Sequence, residues 1–150
     1  MSGLTAKHFS HKVGVNVHHL EWCTKYRYCM MRDDKYKNAC EVAIRKQADR
    51  HKIFIREVFV MPDHVHMSVE LPLHMSSSKA LQLLKGGSSY LLFRFQPKFR
   101  LRYPKKHFWS PGGYAASVGY TTVDVVDAYV RNQRDIHQKS LTEFVGSPAL

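Results

Sequence analysis

Two histidines one residue apart, His64 and His66, stand in a stretch whose apolar positions alternate: Val65, Met67, Val69 and Leu71. That period of two predicts a strand with one buried face, and it puts His64, His66 and Ser68 together on the other. Same-face neighbours in a strand are roughly 6.6–7 Å apart at the backbone, near enough for two imidazoles to converge on one divalent ion. The pair is equally consistent with two half-exposed strand histidines in a chain that carries 10 of them.

A second pair lies towards the C-terminus. Tyr129 and Gln133 are four residues apart, so on a helix they share a stripe, one turn from each other. An exposed tyrosine there can act as a nucleophile on phosphate, and an amide oxygen is an acceptable hard ligand for Mg²⁺ or Mn²⁺ beside two imidazoles. The ordinary role of a helical tyrosine is packing. The chemical reading therefore requires a fold that ties this helix to the histidine strand.

The elements that would do so can be read in order. Residues 1–12 are expected to be a loose arm. A strand runs from about Val13 to Trp22, with His18 and His19 breaking a clean alternation. Cys23 to Tyr28 closes it with two cations and two tyrosines. Asp33 and Asp34 begin a helix to about His51. Ile53 to Val60 is β-branched and aromatic, hence a strand, and Pro62-Asp63 turns it into the histidine strand as a hairpin. Ser76 to Ser78 offer N-caps for a second helix with Leu81, Leu84, Leu91 and Leu92 on its apolar side. Gly86-Gly87 marks either a kink in that helix or a close approach to its backbone.

Arg94 to Lys106 reads as irregular, Tyr114 to Gly119 as a last strand, and Thr121-x-x-Asp124 as the start of the tyrosine helix. Residues 139–150 are expected to be a flexible tail. Strand, helix, strand, strand, helix, strand, helix predicts an α+β fold, a ferredoxin-like antiparallel sheet with helices on one face and a C-terminal helix added.

Composition sets the class. A chain of 150 residues, 44% apolar, is sized for one domain with an ordinary core. The longest apolar runs are too short to span a membrane and no leader is evident, so the expected location is cytoplasmic. Cys23, Cys29 and Cys40 form no C-x-x-C pair, which excludes a disulfide framework or zinc knuckle as the reading. The net charge is +11. From Leu71 to Val123 there is no Asp or Glu, while Lys79, Lys85, Arg94, Lys98, Arg100, Arg102, Lys105 and Lys106 repel one another unless a polyanion neutralises them. Nucleic acid is the polyanion such a segment suits. Interleaved aromatics such as Tyr90 and Phe95 can stack on unpaired bases, although most of the set is expected in the core.

Spread along the chain are His19-Leu20-Glu21-Trp22-Cys23-Thr24-Lys25-Tyr26-Arg27, Asp63-His64-Val65-His66, Lys85-Gly86 with Ser88-Ser89, Phe108-Trp109-Ser110, Ser117-Val118-Gly119, and Tyr129-x-x-x-Gln133. This ordered set resembles the single-tyrosine transposases of small bacterial and archaeal insertion sequences, REP-associated relatives included, within the HUH (His-hydrophobic-His) nucleases. The resemblance implies that His64 and His66 bind a divalent metal, Mg²⁺ or Mn²⁺, with Gln133 completing the ligands. It implies that Tyr129 attacks single-stranded DNA to give a 5′-phosphotyrosine and a 3′-hydroxyl. It also implies hairpin recognition at the element's ends, a homodimer, and a joint before the tyrosine helix at Gly119.

Lys25, Arg27, Lys85, Arg94 and Arg100 are the expected DNA contacts. The chain departs from the family at Gly119-Tyr120, where two glycines are usual, and at Glu21, where the first strand usually carries an apolar residue. Such a strand would need a local basic partner for Glu21.

Three other readings are distinguishable. A replication initiator or relaxase shares the metal chemistry but is typically embedded in a larger protein. A single-strand-binding module of the same topology would leave Tyr129 dispensable. A two-histidine phosphodiesterase needs its H-x-S motifs on neighbouring strands, which Pro72, between His66 and His74, does not allow.

Overall fold

The computed structural model describes residues 7–9, 12–121, 131–132 and 134. Among the described residues, five strands and two long helices follow one another as β1 (Lys7–Phe9), β2 (Lys12–Cys23), α1 (Asp34–Arg50), β3 (Phe54–Val60), β4 (His64–Glu70), α2 (Ser77–Phe95) and β5 (Tyr114–Thr121). All pairings are antiparallel. β2 takes β4 on one edge and β5 on the other, and β3 closes the far side of β4, giving the order β5-β2-β4-β3. That is the ferredoxin-like arrangement expected from the alternation of strands and helices.

Side-chain parity explains the layering. Leu20 and Trp22 of β2 and Val65, Met67 and Val69 of β4 are almost wholly buried. They share the core with Cys40, Ala43, Ile44 and Ala48 of α1 and Ala80, Leu81, Leu84 and Leu92 of α2. Each buried Val, Leu, Ile or Met among them contributes about 1.5–3 kcal/mol, so this layer holds the sheet in register. β2–β4 pairs Glu21 with His66 and Cys23 with His64, so the histidines and their partners occupy the opposite face.

The helices begin as the sequence predicts. Ser76 caps α2, its hydroxyl accepting from the Lys79 amide at 3.1 Å. The glycine pair produces no break, because α2 continues through Phe95. A Cβ on Gly87 would overlap the Gln47 side chain of α1, so this glycine allows the two helices to pack closely. Part of the segment expected to be irregular is a short 3-10 turn, Pro97–Leu101.

Strand pairing corrects the extent of the expected loose arm and places Gly119 within a strand. Lys7–Phe9 is not loose arm but pairs with Lys12–Gly14, and β2 begins at Lys12, inside the span assigned to that arm. Gly119, expected at a joint, is an interior residue of β5 opposite Val17, and the ladder continues to Val15↔Thr121. A register shift beside Val17 leaves Val118 as the extra residue of a β-bulge, so the irregularity there twists a paired strand rather than ending it. Arg131, Asn132 and Arg134 are helical. Tyr129, Gln133 and the 139–150 tail lie outside the described residues.

Candidate functional site

The site is built across two neighbouring strands. His64 and His66 project from the same face of β4, their rings meeting edge to face with centroids 4.9 Å apart. His66 Nδ1 lies 3.3 Å from Glu21 Oε2 and 3.5 Å from His19 Nε2. The His19 and His66 rings stack at 5.7 Å, and Tyr114 of β5 stands edge-on to His19. The ligand atoms of His19, Glu21 and His66 all lie within 4.8 Å of one another. Two imidazoles and a carboxylate so arranged can hold a divalent ion. The donor chemistry thus fits a metal.

His64 is fixed from its other side. Its Nδ1 is 2.7 Å from Asp63 Oδ1, while Asp63 Oδ2 accepts from Arg27 Nε at 3.3 Å. Burial works to raise the Asp63 pKa, but the hydrogen bond and charge of His64, with those of Arg27, together hold it below the usual carboxylate value.

Arg27 reaches Asp63 from a strained loop in which Tyr26 and Arg27 both adopt positive φ, 61° and 54°. Such conformations cost about 1–2 kcal/mol per non-glycine residue, and the surrounding bonds offset that cost. The buried Thr24 amide donates to the Asp63 carbonyl at 2.9 Å, the Thr24 hydroxyl donates to the Tyr28 carbonyl at 2.7 Å, and the Tyr103 hydroxyl donates to the Lys25 carbonyl at 2.7 Å.

Beyond the end of β2 lies a basic cleft of about 630 Å³, lined by Lys25, Lys85, Ser89, Lys106, His107 and Trp109 among others. Lys85 is anchored within it: its ammonium donates to the Ser110 carbonyl at 2.7 Å and to the Gly112 carbonyl. Burial lowers its pKa. Of the expected DNA contacts, Lys25 and Lys85 are brought together here. Arg27 lies over Asp63, Arg94 stacks on Tyr90 near the end of α2, and Arg100 is exposed on the 3-10 turn. Phe93, Phe99, Tyr103, Phe108 and Trp109 are core, whereas Tyr90 and Phe95 are exposed.

The sequence of residues 13–133 matches the family described as "Transposase IS200 like". The chain belongs to the IS200-like transposase family. The transposase for insertion sequence element IS200 of Salmonella typhimurium is 31% identical over 116 residues, covering 77% of this chain and 75% of that protein. The ISDra2 transposase TnpA of Deinococcus radiodurans is 25% identical over 118 residues, covering 79% and 84%.

A crystal structure of a transposase from Deinococcus radiodurans R1 superposes with a TM-score of 0.67 at 24% identity, over 85% of this chain and 97% of that one. A REP-associated tyrosine transposase bound to a REP hairpin gives 0.52 at 16% identity, over 83% and 68%. As an IS200-like transposase the chain is a DNA-cleaving and strand-transferring enzyme. Among the described residues no helix is long and apolar enough to cross a membrane.

Within this IS200-like transposase, sequence reasoning brought His64 and His66 to one face but gave His19 no role at the site. The signal was present in β2: Leu20 and Trp22 face the core, so His19, Glu21 and Cys23 must face away. His18, which obscured that alternation, pairs with core residue Val69 and belongs to the other parity. The basic partner Glu21 needs is His66.

Proposed function

We propose that this IS200-like transposase is a single-tyrosine HUH enzyme that cleaves and rejoins single-stranded DNA at insertion-sequence ends through a covalent 5′-phosphotyrosine. The carrying observation is that the family match spans residues 13–133, the stretch within which His64, His66, Tyr129 and Gln133 all lie. The face shared by His64 and His66 supports it independently.

His64 and His66, with Gln133, hold a divalent ion, Mg²⁺ or Mn²⁺. When bound, such an ion supplies Lewis-acid polarisation of the scissile phosphodiester. Tyr129 provides the nucleophile: its phenolic oxygen bonds to phosphorus, the 3′-oxygen leaves and takes a proton, and the energy of the diester is kept in the tyrosine ester for rejoining. Hydrolysis would discard that energy. Lys25 and Lys85 in the cleft, with Arg27, Arg94 and Arg100, neutralise the DNA backbone. Hairpin recognition is supported by the likeness to the hairpin-bound REP-associated enzyme, and the acting form is a homodimer.

The test follows both ends of a labelled strand. A single-stranded substrate carrying the hairpin and cleavage site of an element end, incubated with Mg²⁺ or Mn²⁺, should leave the 3′-labelled portion attached to protein and release the 5′-labelled portion with a hydroxyl that a polymerase extends. Release of both portions from protein would make the enzyme a hydrolase and overturn the proposal.

A further inference from the structure

Both histidines of the H-x-H pair present the same ring atom, Nδ1, to a carboxylate: His64 to that of its chain neighbour Asp63, His66 to that of Glu21 on the adjacent strand. His64 Nδ1 is 2.7 Å from Asp63 Oδ1, and His66 Nδ1 is 3.3 Å from Glu21 Oε2. The two carboxylates are partly exposed, with 24% and 38% of their side-chain surface accessible, so neither carries the cost of a fully buried charge. Asp63 is itself held by Arg27 at 3.3 Å, and Glu21 is held in place by strand register, directly opposite His66.

The geometry points to Glu21 and Asp63 as a matched pair of positioning residues that set the tautomer of both imidazoles. A carboxylate accepts from the ring N–H and cannot donate, so the proton stays on Nδ1 and the lone pair on Nε2. A carboxylate partner also raises the basicity of the ring's ligating nitrogen. His64 and His66 then offer one chemically equivalent atom each to a common ion. His19 Nε2, 3.5 Å from His66 Nδ1, is the rival acceptor, and Glu21 outcompetes it by charge and by the shorter distance.

Glu21 departs from the apolar residue usual in the first strand, so this chain carries a second carboxylate–imidazole contact that the resemblance does not imply. The alternative use of the same atoms is Glu21 as a direct ligand, together with His19 and His66 Nδ1. The inference rests on the proposal that His64 and His66 bind metal, and its test separates the two.

Long-range ¹H–¹⁵N correlation spectra of the metal-free full chain, with His64→Gln and His66→Gln used for assignment, report each tautomer directly. Both rings should carry the proton on Nδ1. Glu21→Val should shift the tautomer balance of His66 and leave His64 unchanged, and Asp63→Ala should do the reverse. In parallel, Mn²⁺ binding followed by electron paramagnetic resonance should weaken about 10- to 100-fold in either variant, with Glu21→Gln and Asp63→Asn, which keep an acceptor, losing less.

A proton on Nε2 of either ring in the unsubstituted chain would overturn the inference. So would a Glu21→Gln loss equal to that of His66→Ala, which would make Glu21 a ligand. Failure of the unsubstituted chain to bind Mn²⁺, with the tautomers as expected, would instead overturn the metal proposal for His64 and His66.

Discussion

Trp109 donates its indole N–H to the Ser88 hydroxyl at 2.9 Å, joining two motifs 21 residues apart in the chain. Ser88 is fully buried and donates onward to the Lys85 carbonyl at 3.2 Å, while the Phe108 amide donates to Ser89 at 3.4 Å. Ser89 of α2 and the Phe-Trp-Ser segment thus line the basic cleft, with Ser88 buried behind them. Ser88→Ala leaves the indole N–H without this acceptor in a closed site, which costs about 1–3 kcal/mol. Urea unfolding should show that loss at unchanged m-value. An unchanged midpoint would mean that water or a shifted neighbour satisfies Trp109.

The two adjacent glycines of α2 should respond with opposite signs. A Cβ on Gly86 meets nothing within 4 Å, so Gly86→Ala gains helix propensity and stabilises by about 0.5–1 kcal/mol. A Cβ on Gly87 would overlap the buried Gln47 side chain, and overpacking of that kind costs about 1–3 kcal/mol. Denaturation midpoints of the two variants should lie on either side of the parent, and midpoints shifted the same way would contradict the close helix contact.

Much of this architecture was legible because local pattern and global fold agree. Val65, Met67 and Val69 alternate cleanly, so the histidine strand and its exposed face followed from period alone. The start of α2 followed from capping chemistry at Ser76, and that of α1 from the acidic residues Asp33 and Asp34 favoured at a helix N-terminus. Less was legible where tertiary pairing decides. Lys7–Phe9 becomes a strand only because Lys12–Gly14 extends β2 to meet it. The resemblance implies a joint at Gly119, a position that cross-strand pairing with Val17 places within β5. His19 entered the site through register, a relation between strands that spacing along one strand does not contain.

Stability should fall in alkaline solution through a named group. Burial pushes the Tyr103 phenol up to about 12, with the Tyr28 and Tyr26 charges adding to that and the Thr24 hydrogen bond and Arg102 opposing. The unfolded chain releases this proton near pH 10 and the folded chain retains it, so the folded state binds more protons between about pH 10 and 12 and loses stability as pH rises through that window. Tyr103→Phe, measured by denaturant midpoint at pH 9 and pH 11, should show a smaller alkaline loss than the parent. An equal loss would place the titration elsewhere.

Binding to single-stranded DNA should be strongly salt-dependent, with each phosphate contact contributing about 0.7 to the slope of log K against log salt. Arg94→Ala and Arg100→Ala remove exposed cations from α2 and the 3-10 turn. Each should lower the slope by about that amount if its side chain meets a phosphate. Fluorescence anisotropy across a salt series measures it. An unaltered slope in both variants would remove this surface from the DNA path.

In the proposed reaction Tyr129 carries the DNA covalently while His64 and His66 hold the ion. That reaction is tested most directly by incubating the protein and its Tyr129→Phe variant with a labelled single-stranded element end and Mn²⁺, then separating products by denaturing electrophoresis. A protein–DNA adduct should survive denaturation and be lost with Tyr129→Phe, with His64→Ala and with chelator. A hairpin-binding parent protein that forms no adduct, or an adduct that persists in Tyr129→Phe, would contradict it.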